Sequence, residues 1–153
     1  MPNLYESFQE VVGALRAASI PFAVCGGLAM SIHARPRATI DIDLLAPADV
    51  IPELVEALAP LGFRRREQAP TRLAQGQIVM HRLTKILPGD PEVLVLDVIE
   101  ATPAVPAAAW EGRVTREWQG QSISVVSREG LIALKRLRGS PLDHADIAAL
   151  ETE

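Results

Sequence analysis

The stretch that decides the fold runs Val24-Cys25-Gly26-Gly27-Leu28-Ala29-Met30-Ser31-Ile32-His33-Ala34-Arg35-Pro36-Arg37-Ala38-Thr39-Ile40-Asp41-Ile42-Asp43-Leu44. It is entered through Pro21 and the apolar run Phe22-Ala23-Val24-Cys25, which suits a short buried strand. Gly26-Gly27 ends that strand, and residues 28–32 read as a short helix starting directly from the glycines. Arg35-Pro36-Arg37 is a loop, because the residue before a proline is biased out of the helical region. Ile40-Asp41-Ile42-Asp43-Leu44 then alternates strictly, with apolar side chains on one face and both aspartates on the other, so residues 40–44 are predicted to form a half-buried strand.

Upstream, Leu4, Phe8, Val11, Val12 and Leu15 recur at helical spacing, and Asn3 followed by Glu6 is a cap pattern; a first helix is expected to near Ser19. Downstream, residues 52–59 suit a helix with Leu54, Leu58 and Leu61 turned inward. Residues 77–86 and 92–100 read as strands joined by a turn at Pro88-Gly89-Asp90-Pro91. Residues 101–109, rich in Pro and Ala, read as a connection. A hairpin follows, with strands 114–118 and 122–126 around Gln119-Gly120-Gln121. Two helices close the order, residues 128–138 after Ser127 and 142–150 after Ser140-Pro141. The expected fold is α/β (α+β), a mixed β-sheet with helices packed mainly on one face.

The chain of 153 residues is 48% apolar, 22% charged and 4% aromatic, with a net charge of −4. That composition excludes a disordered chain and is the size of one domain, residues 1–153, with no room for a separate acceptor domain. Cys25 is the only cysteine, which excludes an internal disulfide and any multi-cysteine zinc site. No apolar run reaches the roughly 20 residues of a membrane span, and the start has no basic leader, so a cytoplasmic protein is expected. Charge is unevenly spread: Arg64, Arg65, Arg66, Arg72, Arg82 and Lys85 meet only Glu67 within residues 64–85. Such a segment, taken alone, reads first as a solvated strand face, and it tilts toward a phosphate-rich partner.

The chemistry is concentrated in aspartates. Two aspartates two apart on a strand project from one face, roughly 6–7 Å apart at the backbone. Like charges that close are costly unless a cation sits between them, and hard divalent ions such as Mg²⁺ or Mn²⁺ take carboxylate oxygens while keeping room for phosphates. On an edge strand the same pair would simply face solvent. Asp97 lies within Val93-Leu94-Val95-Leu96-Asp97-Val98-Ile99, otherwise apolar on both faces. A carboxylate there is paired or metal-bound, since burial of an unmatched charge is expensive. The alternatives are a third metal ligand beside Asp41 and Asp43, or a buried aspartate held by an arginine or a backbone amide. Gly26 and Gly27, at a strand-to-helix junction, let phosphate approach the backbone at a helix N-terminus.

From Val24 to Met30 and from Arg35 to Leu44 the chain resembles the active-site signature of the polymerase-beta-like nucleotidyltransferase superfamily. It is most similar to the small bacterial branch related to abortive-infection and toxin–antitoxin nucleotidyltransferases. The resemblance implies that Asp41 and Asp43 hold Mg²⁺ or Mn²⁺ on a nucleoside triphosphate such as ATP. Gly26, Gly27, Arg37 and Lys135 would contact the nucleotide, and Asp97 would complete a second metal site and help deprotonate the acceptor. An unidentified hydroxyl, on RNA, a protein or a small molecule, would attack the α-phosphorus and release pyrophosphate. In the closing helices Lys135, Arg138 and Asp143 match the branch's Lys, Arg and Asp, although Asp143 three residues after Ser140 is equally a capping arrangement. A protein partner or a homodimer is compatible with so small a chain. A contrasting expectation is a catalytically weak binding module that acts with a protein partner.

Overall fold

The computed structural model describes residues 4–34, 41–65, 67–86, 89 and 93–152. Asn3, the loop through Arg35, Pro36 and Arg37, and most of the turn at residues 87–92 lie outside the described residues.

Helix α1 (Leu4–Ala17) buries Phe8, Val11, Val12 and Leu15, the stripe that its periodicity defines. It stops two residues short of the expected Ser19. Ser19 takes a left-handed φ of 56°, and the amides of Ser19 and Ile20 close back onto the Arg16 and Leu15 carbonyls. Strand β1 (Ala23–Cys25) follows, fully buried, and leads straight into α2 (Gly26–His33). Strand β2 (Asp41–Ala46) buries Ile42 and Leu44 completely while Asp41 and Asp43 remain partly accessible, as the alternation required. Helix α3 (Ile51–Leu58) packs on α1, and its Leu54 and Leu58 join the same core.

Two short strands, β3 (Phe63–Arg65) and β4 (Thr71–Leu73), were not expected from the sequence. Both pair with the long strand β5 (Ile78–Ile86), β3 along its second half and β4 along its first. Strand β6 (Val93–Glu100) completes the hairpin with β5. The expected connection at residues 101–109 contains a single helical turn, α4 (Ala107–Trp110), entered through Pro106. The hairpin β7 (Val114–Trp118) and β8 (Gln121–Val125) then precedes α5 (Arg128–Arg138) and α6 (Pro141–Glu151).

The mixed sheet runs β3-β5-β6-β2-β1-β8-β7, with β4 beside β3 on the β5 edge. β2 pairs parallel with β6 and antiparallel with β1, and β1 pairs parallel with β8. Trp118 fixes α1 onto the terminal hairpin through edge-on contacts with Tyr5 and Phe8. Among the described residues, no helix is long and apolar enough to cross a membrane.

Candidate active site

Sheet register assembles the site. Cys25 on β1 is opposite Asp43 on β2, Asp43 is opposite Asp97 on β6, and Asp97 is opposite Arg82 on β5. These four residues therefore form one row across four adjacent strands, spaced about 4.8 Å apart in the pairing direction. Asp41 lies two residues before Asp43, on the same face of β2. The row borders a cleft of about 680 Å³, also lined by Gly26, Gly27, Lys135, Arg138 and Asp143. Asp41, Asp43, Asp97, Gly26, Gly27 and Lys135 are thus brought to one place; Arg37 lies outside the described residues.

The first glycine is dictated by that row. Gly26 has a left-handed φ of 64°, and a Cβ at this position would run into the Asp43 carboxylate. Only glycine lets the N-terminus of α2 sit directly against Asp43. Cys25, the residue before it, has no side-chain bond to the helix amides. Its thiol is pushed well up by burial and next by the Asp43 charge, so it is an inert core thiol despite its place in the row.

Crowding leaves its mark on the acids. Burial, then the charges of Asp97 and Asp41, push the Asp43 carboxyl up to about 6, against the opposing pull of Arg138 and Lys135. Asp41 is raised by burial and next by Asp97, with Arg82 opposing. Asp97 has a resident counter-ion: Arg82 Nε and Nη2 donate to its two carboxylate oxygens at 2.9 and 3.0 Å. Asp97 is thus held by an arginine on the neighbouring strand. Arg82, counted in the sequence only as part of a basic segment, belongs to the site.

The closing helices carry a second charged network. Lys135 is 4% exposed; its Nζ donates to Asp146 Oδ2 at 2.8 Å and lies 3.8 Å from Asp143 Oδ1. Asp143 is fully buried and forms a capping box with Ser140, while Arg138 donates to both its oxygens at 2.8 and 2.7 Å. Burial pushes its carboxyl up, but the Arg138 guanidinium and the Ser140 hydroxyl and amide outweigh it and hold Asp143 far below the ordinary range. Asp143 is therefore a helix cap that also borders the cleft.

Among the described residues, the basic segment is split. Arg65 and Arg82 line the cleft, whereas Arg64 donates to the Ala59 and Phe63 carbonyls and Lys85 lies over the Phe63 ring. Where β4, β5 and β6 meet, Leu73, Ile78, Met80 and Ile99 add an apolar end to the cleft lining, beside Thr71.

Asp41 and Asp43 fit a divalent cation by chemistry, as two hard oxygen donors on one face whose carboxyls are both raised by burial and by the Asp97 charge. Among the described residues no group of three His, Cys, Asp or Glu side chains is gathered to hold an ion. That agrees with both Asp97 oxygens being engaged by Arg82.

Comparison with known proteins gives a consistent likeness. Residues 13–137 match a family model described as the nucleotidyl transferase AbiEii toxin of a type IV toxin–antitoxin system. No curated protein matches the sequence. Among solved structures, the lincomycin-bound lincosamide antibiotic adenylyltransferase LnuA superposes with a TM-score of 0.65 at 15% identity, covering 96% of each chain. ANT(2'')-Ia, in complex with adenylyl-2''-tobramycin, gives 0.64 at 20% identity over 95% of this chain and 86% of that one. An antigenic nucleotidyltransferase-like protein from Paracoccidioides brasiliensis gives 0.60 at 21% identity over 94% and 74%. At these identities the likeness is one of fold.

Proposed function

The chain belongs to the AbiEii nucleotidyltransferase toxin family, and from that premise we propose that it moves a nucleoside monophosphate from a triphosphate to a hydroxyl acceptor in a metal-dependent reaction. The observation that carries the reading is the row of Asp43 and Asp97 beside Asp41, set against the Gly26–Gly27 start of α2 at the floor of one cleft.

Mg²⁺ or Mn²⁺ held by Asp41 and Asp43 would neutralise charge on the triphosphate. The amides of Gly26 and Gly27 point the positive end of α2 at its phosphates. Arg37 and Lys135 are the proposed cationic contacts, Lys135 acting from its buried place beside Asp146. The acceptor hydroxyl gives its proton toward Asp97 and its oxygen forms a bond to the α-phosphorus. The bond from that phosphorus to the bridging oxygen breaks, and pyrophosphate leaves. These residues work by positioning and by preorganised charge.

The acceptor is an RNA, a protein or a small molecule, entering from the apolar end of the cleft. Membership of a toxin family makes a partner protein part of the proposal. The Arg82 pair also favours the contrasting reading, a weakly catalytic binding module, because it gives Asp97 a structural partner without metal.

Calorimetric titration of ATP, GTP, CTP and UTP with Mg²⁺ into wild type and Asp43→Asn separates the two. Metal-dependent binding of one triphosphate that the variant loses is expected. No binding by the wild type would overturn the nucleotidyltransferase reading and leave the binding module.

A further inference from the structure

Asp97 and Arg82 raise a question that the proposed reaction leaves open. Asp97 is 4% exposed, and both its oxygens are held by one guanidinium. Bidentate pairing takes a lone-pair site on each oxygen and places a positive charge beside both, so an acceptor's proton or a second cation must compete with the guanidinium for Asp97. The pair is also lopsided, because the Arg82 side chain is 54% exposed against 5% for Asp97. The acid is fixed in the sheet and the base stands at the mouth of the cleft on a flexible stem.

Position strengthens the point. Arg82 stands at the end of the row, with Asp97 between it and Asp43, and its guanidinium is held also by the charges of Asp41 and Asp43. It is thus a cation placed where three carboxylates crowd. A triphosphate delivered to this cleft brings phosphate oxygens that accept the same forked donor.

We propose that Arg82 is a gate on Asp97: it occupies the carboxylate while the cleft lacks nucleotide, and moves to the triphosphate when nucleotide arrives, releasing Asp97 for its role. The inference rests on the nucleotidyltransferase reading and adds to it a positioning residue that makes the site assemble in order. The device keeps a buried acid matched in the resting protein. It also makes uptake of a second cation depend on nucleotide.

Mn²⁺ alone is the probe, followed by loss of the spectrum of the aqueous ion in electron paramagnetic resonance, on the full chain. Without nucleotide, Arg82→Gln is expected to bind Mn²⁺ more tightly than wild type by on the order of 10-fold, the smaller end of what a neighbouring guanidinium does to a carboxylate's affinity for a proton. Arg82→Lys, which keeps the charge and loses the fork, falls between them. A non-hydrolysable triphosphate added to wild type removes most of the difference. Wild type supplies a readout that needs no variant: the Arg82 Nε–H resonance, held by Asp97 in the resting protein, shifts when Mg²⁺ and the triphosphate analogue bind. Equal Mn²⁺ binding by wild type and Arg82→Gln, or an Arg82 resonance that stays put while the analogue binds, overturns the gate alone. Absence of both metal and triphosphate binding in all the proteins overturns the gate together with the reading beneath it.

Discussion

Asp43→Asn should stabilise the protein at neutral and alkaline pH while disarming it. Asn keeps the shape of the side chain and removes the charge that β2, β6 and the start of α2 crowd. In the folded chain the Asp43 carboxyl is pushed from 3.8 to about 6, first by burial and then by Asp97 and Asp41. Between those two values the folded state holds more protons than the unfolded one, so stability falls as pH rises through the window and stays low above it. At about 1.4 kcal/mol per tenfold in proton affinity, the full displacement corresponds to roughly 3 kcal/mol; access of solvent from the cleft lowers this to roughly 1–3 kcal/mol. For a chain of this size that is a rise of roughly 3–10 °C in Tm. Thermal unfolding followed by circular dichroism, in chelator, at pH 8, 6 and 5 measures it. The gap between Asp43→Asn and wild type should be widest at pH 8 and shrink toward pH 5. Adding Mg²⁺ at pH 8 should raise wild type and leave the variant unchanged. A variant no more stable than wild type at pH 8, or a gap independent of pH, would refute the idea that unrelieved repulsion is built into this site.

Gly26→Ala should cost about 2–4 kcal/mol in denaturant unfolding and abolish triphosphate binding, because the new Cβ meets the Asp43 carboxylate and the left-handed φ of 64° is strained for alanine. Asp143→Ala should cost about 2–4 kcal/mol at pH 7, removing both a capping box and the anchor of Arg138. Since Asp143 titrates far below the ordinary carboxylate range when folded, that loss should shrink as the pH drops below 3.8, a trend that denaturant midpoints across acid pH would read. Arg64→Ala and Lys85→Ala should leave calorimetric triphosphate affinity within about twofold of wild type, because both side chains are engaged away from the cleft.

The segment from Val24 to Leu44 was legible because its signals are local. A Gly pair at a strand end and an Asp alternating with Ile each constrain the backbone within a few residues, and the structure puts Gly26, Gly27, Asp41, Ile42 and Asp43 where the pattern asks. The caps of α5 and α6 were legible for the same reason, as Ser127 accepts from the Gly130 amide and Ser140 from Asp143. Strands β3 and β4 were not. Three residues are too few to show a period of two, and β3 exists because Gly62, at φ 99°, turns the chain onto the edge of β5. Arg82 was hidden by register: its pairing with Asp97 needs the β5–β6 hairpin aligned residue by residue, which the turn's length does not fix from sequence. A signal was present nonetheless, since an acid in an apolar strand demands a cation and Arg82 lies on the adjacent one. Lys135 carried a signal too, four residues after the buried Leu131 on the inward stripe of α5, but its partner Asp146 is on the facing helix.

Among the described residues, Arg138–Asp143, Lys135–Asp146 and Arg82–Asp97 are hydrogen-bonded ion pairs at the cleft, and their tethers differ in a way that assigns them different work. Arg138 and Asp143 are joined across one short turn, with Asp143 tied also to the Ser140 hydroxyl and amide, so releasing the arginine leaves the acid held. Lys135 and Asp146 are both buried between α5 and α6, where neither can leave without exposing the other's charge to the core. These two pairs brace the helical wall. Among the described residues, Arg82 and Asp97 hydrogen-bond with each other across the hairpin with no further side-chain bond to either, and the arginine is half in solvent while the charges of Asp41 and Asp43 also attract it. Of the three, this is the pair with the most exposed cation, so it is the one an arriving polyanion can draw off, and it stands beside Asp43. A rigid wall facing one exchangeable ion pair is the arrangement expected of a site that must stay folded when empty and rearrange its charges when a polyanion enters.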